Sequence, residues 1–262
     1  MKKLFVCLLC LMLLSACGGR SDDDAPTPPP DPDALTLRVV VSGEDAGDLL
    51  LAETSGTGVY TLSPTSPPNP LRSGQLVRVR YESIAETYPA QLQGVSAVEV
   101  VEGGFDDRCA LYLQVLEDLW RVDDGLNGGV EIIGVDLSQT SLPPAERSAV
   151  IWAFAGNHGA QAVEGTFDEL LAEGYLTATP MDTSGSGVEQ DAPEHCFYEW
   201  ENGCFFSITE QPMEGAYSLT PVTFDAQKWR SSLGAYFFFD CTAVQSGLGE
   251  WGGYSVGAEA IS

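Results

Sequence analysis

The sequence predicts a small all-β barrel followed by an α+β region that ends in an antiparallel sheet. Three observations carry this prediction. Between residues 35 and 103, short apolar runs with the two-residue period of strands are separated by Gly and Pro. From Phe105 the apolar residues recur at helical spacing instead. The last part of the chain is rich in aromatic residues punctuated by glycine, which is typical of strands joined by turns. We therefore divide the chain into a barrel, 35–103, and an α+β domain, 104–262.

The first residues have the form of an export signal. Lys2 and Lys3 precede an apolar run from Leu4 to Leu14. This run is too short for a membrane-spanning helix, which needs about 20 residues. Residues 1–16 are therefore expected to be a signal peptide that is removed on export.

The end of this segment, Leu14-Ser15-Ala16-Cys17, resembles the lipobox of bacterial lipoproteins, in which a cysteine sulfur receives a diacylglyceryl group. The resemblance implies that Cys17 becomes the lipidated N-terminus of the mature protein. Several acyl chains hold a protein on a membrane far more firmly than one. We therefore expect the protein at the outer face of the cell membrane, held there by its lipid anchor.

Residues 17–34 are expected to be a tether between this anchor and the folded part. The sequence RSDDDAPTPPPDPDA, residues 20–34, contains five prolines and no apolar periodicity. Such a segment buries too little surface to fold, and its prolines favour an extended conformation. At roughly 3.1 Å per residue it would span about 45 Å.

The chain is strongly acidic, with 12 basic and 38 acidic residues and a net charge of −26. Loss of Lys2 and Lys3 with the signal peptide makes the net charge −28, because all the acids remain. A surface of this sign repels phosphate backbones, which excludes nucleic acid as a partner. A cationic partner, or simple solubility outside a cell, fits the charge.

Five short strands are predicted for the barrel, and the fourth shows the alternation most clearly. In QLVRVRYES, Val77, Val79 and Tyr81 share one face, whereas Arg78 and Arg80 occupy the other. The remaining four strands are LTLRVVVS, DLLLAE, GVYTL and SAVEVVE. Five strands in about 70 residues are typical of a small closed or nearly closed barrel.

The stretch from Gly74 to Glu102 resembles the end of the short OB-like domains of secreted Gram-positive lipoproteins. The shared features are a V-x-V-x-Y strand and an E-x-Y-P-A-Q loop, which here runs from Glu86 to Gln91. The resemblance implies an OB-like barrel and carries no activity, and the sequence does not determine the Gram type of the host. OB-like barrels often bind oligomers along one face, which is an analogy at the level of the fold.

Three helices are predicted in the α+β domain. The first spans residues 106–122 and the second residues 143–159. The third is short and begins with a capping box made by Thr166 and Glu169. A strand is expected at 130–137, and further strands close the domain.

The stretch PEHCFYEWENGC brings His195, Cys196 and Cys204 close together in sequence, as a metal site would. Its Asn202-Gly203 dipeptide is the strongest short hairpin signal. A hairpin would hold the two cysteines roughly 13 to 17 Å apart at about 3.3 Å per residue. Since a disulfide needs Cα atoms within about 7 Å, Cys196 and Cys204 are expected neither to bridge nor to share a metal. No metal site and no cofactor is predicted.

In an exported protein, the four cysteines beyond Cys17 are disulfide candidates. Excluding Cys196–Cys204 leaves two complete pairings. One joins Cys109 to Cys196 and Cys204 to Cys241, and the other joins Cys109 to Cys204 and Cys196 to Cys241. Free buried thiols are a third possibility, because apolar residues surround Cys204 and Cys241.

The sequence FFFDCTAV, residues 237–244, resembles the Asp-Cys-Ser/Thr nucleophile of papain-like cell-wall peptidases. The resemblance implies an alternative function, a cysteine-dependent cell-wall hydrolase that uses Cys241. No histidine follows Cys241 in the chain, so His158 or His195 would have to serve from upstream.

The candidate binding residues are Lys228, Trp229 and Arg230, the one basic-aromatic cluster on a very acidic chain. No catalytic residue is assigned. We therefore expect a lipid-anchored extracytoplasmic protein that acts as a non-catalytic binding or interaction module. Its partner is expected to be an extracytoplasmic protein or a small ligand.

Overall fold

The computed structural model of the protein describes residues 34–42, 49–62, 70–181, 196–212 and 221–262. The predicted signal peptide, Cys17, nearly all of the predicted tether and His195 lie outside these described residues. Strands account for 46% of the described residues, so this part of the chain is mostly β with few helices. Residues Asp33–Ser262 cluster as one compact unit.

Seven strands form the first sheet: Ala34–Val41 (β1), Leu50–Glu53 (β2), Val59–Leu62 (β3), Leu76–Arg80 (β4), Ser83–Ala85 (β5), Ala90–Gln93 (β6) and Ala97–Val101 (β7). Their order across the sheet is β5-β6-β3-β2-β1-β4-β7. β3 and β6 pair in parallel and all other neighbours pair antiparallel, so the sheet is mixed. The predicted alternation of β4 is confirmed, because Val77 and Val79 are buried whereas Arg78 and Arg80 are exposed.

The first sheet is open within the described residues, so the expected closed barrel is not confirmed. β5 and β7 lie at its two edges. All five predicted strands are present, and β5 and β6 add two more between the fourth and fifth predicted strands. β1 buries both of its faces: Leu37 and Val39 pack within the sheet's own cluster, whereas Val40 packs against helices. A sheet with two apolar faces needs a second covering layer, which the outside of a small barrel would lack.

Three α-helices follow, all at predicted positions: Arg108–Arg121 (α1), Pro144–Asn157 (α2) and Phe167–Ala172 (α3). The predicted capping box of α3 is confirmed. The backbone N–H of Glu169 donates to Thr166 Oγ1 at 3.3 Å, and the backbone N–H of Thr166 donates to Glu169 Oε2 at 2.8 Å. None of the helices in the described ranges has both the length and the apolar character that crossing a bilayer requires.

The two long helices run side by side in the same direction. Cys109, near the start of α1, contacts Glu146 in the first turn of α2. Glu117, near the end of α1, contacts Asn157 at the end of α2. The C-terminal ends of both helices therefore lie next to each other.

Nine strands form the second sheet: Ile132–Asp136 (β8), Gln161–Glu164 (β9), Thr177–Pro180 (β10), Cys196–Glu199 (β11), Gly203–Glu210 (β12), Val222–Ser231 (β13), Gly234–Gln245 (β14), Trp251–Ser255 (β15) and Ala258–Ile261 (β16). The main order is β10-β11-β13-β12-β8-β9, and β14 joins β13 to β15 and β16. The strands from β10 to β16 pair antiparallel, as predicted for the C-terminal sheet. β8 pairs in parallel with both β9 and β12, which makes the whole sheet mixed.

The hairpin predicted at Asn202-Gly203 is wrong, because β11 and β12 are not paired with each other. β13 lies between them, and the backbone N–H of Trp200 donates to the carbonyl of Arg230 at 2.8 Å. Trp200 is only 1% exposed. A Cβ placed on Gly203 would lie 2.0 Å from its indole ring. Glycine is therefore needed here for close packing of a buried tryptophan and not for a hairpin turn.

The helices α1 and α2 lie between the two sheets. One continuous core combines Val40 of the first sheet, Leu116 of α1 and Phe224 of the second sheet. α3 covers the opposite face of the second sheet, where Leu170 packs against Trp200. The fold is thus built in layers, with the long helices in the middle.

One ion pair joins the first sheet to this helical layer. Arg38 of β1 and Glu146 of α2 approach to 3.3 Å between Nε and Oε1, with side chains only 13% and 7% exposed. Arg38 Nη1 also donates to the carbonyl of Gly74 at 2.9 Å, and the Cys109 thiol donates to Glu146 Oε2 at 3.4 Å. Three segments of the chain therefore meet at one buried carboxylate.

Replacing Glu146 by Gln removes the counter-charge of Arg38 while keeping the shape of the side chain. We expect the free energy of unfolding, measured by urea denaturation, to fall by about 3 kcal/mol. The double variant Arg38→Met, Glu146→Leu removes both buried charges and should recover part of this loss. Arg121→Gln breaks an exposed pair with Asp118 and should cost less than about 1 kcal/mol. Equal losses in Glu146→Gln and Arg121→Gln would contradict the role of the buried pair.

Candidate functional site

A cleft of about 640 Å³ lies between the first sheet and the two long helices. One face of α1 forms one wall, and its lining residues follow the helical repeat: Ala110, Leu113, Gln114, Glu117 and Arg121. A second lobe of about 390 Å³ adjoins the first and shares Val41, Leu113 and Asn157 with it. The two lobes therefore form one continuous depression.

Glu117 is the central polar group of the larger lobe. Its Oε1 accepts a hydrogen bond from Asn157 Nδ2 at 2.8 Å. Its Oε2 lies 3.2 Å from His158 Nε2, yet this nitrogen makes no aligned hydrogen bond. The contact is therefore a close approach that becomes an ion pair only when His158 is protonated.

The imidazole of His158 is held in place by aromatic rings. It stacks on Trp120 with centroids 4.0 Å apart and rings inclined by 19°. Phe154 meets it edge-on at 5.1 Å. His158 is the C-cap residue of α2, which agrees with its predicted place in the last turn of a helix. The rings form a rigid floor beside the Glu117 carboxylate.

The charge at this end of the cleft is negative. Arg121 also lines it, but Arg121 Nη1 is paired with Asp118 Oδ1 at 2.8 Å. Asp118 Oδ2 accepts a further bond from the Tyr254 hydroxyl at 3.1 Å, and burial, followed by the Asp118 carboxylate, raises the pKa of Tyr254 well above its ordinary value. The charges of Arg121 and Asp118 compensate each other, so the net charge of these three side chains is the negative charge of Glu117.

The smaller lobe is mainly apolar. Leu49 and Leu50 of the first sheet and Ala153 of α2 line it, and each is less than a tenth exposed. Trp152 stands at the lobe with 37% of its side chain exposed. An apolar cavity that meets a few fixed polar groups is the usual form of a small-molecule site.

Lys228 is fully buried, which corrects the expectation that it belongs to an exposed binding surface. Its ammonium donates to three backbone carbonyls, those of Trp120 at 3.3 Å, Val122 at 2.9 Å and Asp123 at 3.1 Å. Burial lowers the pKa of Lys228, and the three carbonyls offset the loss of hydration. Lys228 is thus an internal tie between β13 and the segment that follows α1.

Lys228, Trp229 and Arg230 do not form one surface, because successive residues of β13 point to opposite faces and Trp229 therefore lies on the face away from Lys228 and Arg230. Trp229 packs edge-on against Phe167 of α3, with centroids 4.9 Å apart. Arg230 Nη1 donates to the carbonyls of Leu126 at 2.8 Å and Gly128 at 2.6 Å. Both side chains are half-buried. The guanidinium of Arg230 thus ties β13 to the segment that follows α1, and Trp229 packs against α3.

Cys109, Cys204 and Cys241 are buried thiols. Neither complete disulfide pairing is therefore present, since each requires Cys204 to bond with Cys109 or Cys241. For the pairing that joins Cys204 to Cys241, the strand register explains this result. Cys204 lies near the start of β12, whereas Cys241 is opposite Phe224, which is opposite Glu210 at the end of β12. Six residues along a strand correspond to roughly 20 Å, far beyond the about 7 Å of a disulfide.

Cys241 has the properties of a core residue. It is 0% exposed, and burial, followed by the carboxylates of Asp225 and Asp240, raises the pKa of its thiol to about 12. A thiol nucleophile needs the opposite environment, one that lowers the pKa and exposes the sulfur. Of the two histidines that could serve as its base, His158 stacks on Trp120 at the cleft, and His195 lies outside the described residues.

Comparison with known proteins finds no matching family model, no matching curated protein and no matching solved structure. Within the described ranges, no group of three or more His, Cys, Asp or Glu side chains is arranged to hold a metal ion. The two-lobed cleft is the strongest candidate site in this part of the molecule.

Sequence reasoning missed Glu117 and Asn157, the residues that define the polar end of the cleft. They stand 40 positions apart on two helices. The only signal was a polar stripe on α1, formed by Gln114, Glu117 and Arg121. Such a stripe normally marks a solvated helix face.

We expect Cys241 to resist iodoacetamide in the native protein at about pH 8, where an ordinary exposed cysteine is partly thiolate. Peptide mass spectrometry would locate the label, and labelling in guanidinium chloride would show that the residue reacts once exposed. Rapid native modification of Cys241 would contradict the buried thiol and support the hydrolase alternative.

Proposed function

We propose that this protein is an extracytoplasmic lipoprotein that binds a ligand, without catalysis, in the cleft between its first sheet and its two long helices. Cys17 would anchor the chain to the outer face of the cell membrane, and the Pro-rich tether would separate the binding part from the bilayer. The acidic composition fits an exported protein that does not bind nucleic acid. The OB-like resemblance of Gly74–Glu102 remains part of this proposal.

The observation that carries the binding proposal is the contact between the two lobes. The larger lobe offers Glu117 and Asn157, and the smaller lobe offers Leu49, Leu50 and Trp152. A ligand that fills both gains from apolar burial and from fixed polar partners. The cysteine hydrolase alternative has less support, because it would need an exposed thiolate at Cys241.

Lipidation is tested on the full-length chain in a bacterial host that processes lipoproteins. We expect mass spectrometry to find an N-terminal peptide that begins at Cys17 and carries acyl chains. In the Cys17→Ser variant the acyl chains should be absent, and the protein should no longer fractionate with the membrane. Cleavage at another position, or an unmodified Cys17, would contradict the anchor.

Binding in the cleft is tested with N-phenylnaphthylamine, an apolar dye that fluoresces when it leaves water. We expect the dye to bind the protein, and Gly156→Phe to weaken this binding at least about tenfold, which corresponds to roughly 1.4 kcal/mol. Gly156 lines the smaller lobe, and a Cβ added there meets no atom of another part of the protein within 4 Å. The substitution should therefore fill the lobe without disturbing the fold.

Gly156→Ala is the matched control, because it changes the same backbone position but leaves most of the lobe open. It should bind the dye like the unchanged protein, and both variants should keep the melting temperature or raise it slightly, since glycine weakens a helix interior. Equal dye binding by all three proteins would contradict the cleft as the binding site.

A further inference from the structure

We propose that the ligand of the cleft is a small amphipathic cation, with its charged group at Glu117 and its apolar part in the lobe beside Trp152. The inference rests on the cleft being the binding site and adds the chemical class of the ligand. An amine with an apolar tail is the simplest molecule of this class.

The carboxylate of Glu117 is suited to bind a cation. The side chain of Glu117 is 18% exposed, so water reaches it only in part. Asn157 fixes one of its oxygens, and the other faces His158 without an aligned hydrogen bond. A partly desolvated carboxylate with an unused acceptor attracts a cation more strongly than a fully hydrated one does.

The direction of the two long helices also favours a cation at this end of the cleft. α1 and α2 are parallel, so both of their C-terminal ends lie near Glu117. The last carbonyls of a helix carry partial negative charge and favour a nearby cation. The end of α1 already has two cations, because the Lys228 ammonium binds the carbonyls of Trp120 and Val122 and Arg121, 68% exposed, is bound to Asp118. The end of α2 has only His158, whose charge depends on protonation.

An anionic ligand fits this environment poorly. It would meet Glu117 directly, and the one arginine among the described residues that line the cleft, Arg121, is already paired with Asp118. The net charge of −26 on the chain would also slow its approach and favour that of a cation.

The apolar part of the ligand follows from the second lobe. Its volume of about 390 Å³ is enough for an alkyl chain or a ring. Leu49, Leu50 and Ala153 give it apolar walls, and the half-exposed Trp152 gains a partner when the lobe is filled. Asn157 and Leu113 border both lobes, so a single ligand that reaches across them uses both.

The test uses the mature-length chain with Cys17→Ser, so that no attached acyl chain competes for the lobe. Octylamine, octanol and octanoate share one tail and differ in the charge of the head. Each is titrated against bound N-phenylnaphthylamine. We expect octylamine to displace the dye at about a tenfold lower concentration than octanol, because a charged hydrogen bond is gained. Octanoate should be the weakest of the three.

Glu117→Gln should remove the advantage of octylamine and leave octanol unchanged. Glu173→Gln is the matched control, since Glu173 is an exposed carboxylate beyond the end of α3. It should keep the advantage, which separates a specific contact from the general attraction of an acidic protein. Equal displacement by the three compounds, or equal effects of the two substitutions, would overturn the inference.

These outcomes are distinct from failure of the proposed function. If Gly156→Phe weakens dye binding but octylamine has no advantage, the cleft is a binding site and the cationic class is wrong. If Gly156→Phe leaves dye binding unchanged, the cleft is not the site and both proposals fall.

Discussion

The contact between Arg38 and Glu146 lies where the first sheet, α1 and α2 meet, and the position of the cleft depends on it. Both charges are removed from water, which costs free energy. The attraction between them offsets this cost only if the geometry is good and further hydrogen bonds are made. The carbonyl of Gly74 and the thiol of Cys109 supply those bonds. The pair holds the helices at their first turns, and the cleft opens at their last turns. Sheet and helices are thus tied at one end and leave a depression at the other.

A second buried cation has a similar role on the other side of the helical layer. The Lys228 ammonium binds carbonyls at the end of α1 and also lies 5.8 Å from the centre of the Trp120 ring. Trp120 in turn stacks on His158. The floor of the cleft is therefore supported from the second sheet, through one lysine and one tryptophan. In both places a buried charge fixes a position, a role that buried charges have in some other proteins.

Local patterns predicted much of the secondary structure but little of the site. The faces of β4 and the capping box at Thr166 follow from neighbours in sequence, so they could be read directly. The hairpin prediction at Asn202-Gly203 was wrong because the burial of Trp200 outweighed the turn preference of the dipeptide. The prediction of an exposed binding surface at Lys228 was wrong because the carbonyl partners of this residue lie more than 100 positions away in the sequence. Long-range contacts of this kind leave no local signal, and the open first sheet depends on them as well.

The burial of Lys228 also determines which chemistry can reach the protein from outside. It is the only lysine after Lys2 and Lys3, and it is fully buried. If the signal peptide is removed, the folded protein offers no lysine amine to acylating reagents or to enzymes that attach groups to lysine. The abundant reactive groups are instead the carboxyl groups of its 38 acidic residues. A search for neighbours on intact cells would therefore do better with carboxyl-directed coupling, because lysine-directed crosslinkers would find no accessible lysine on the folded protein.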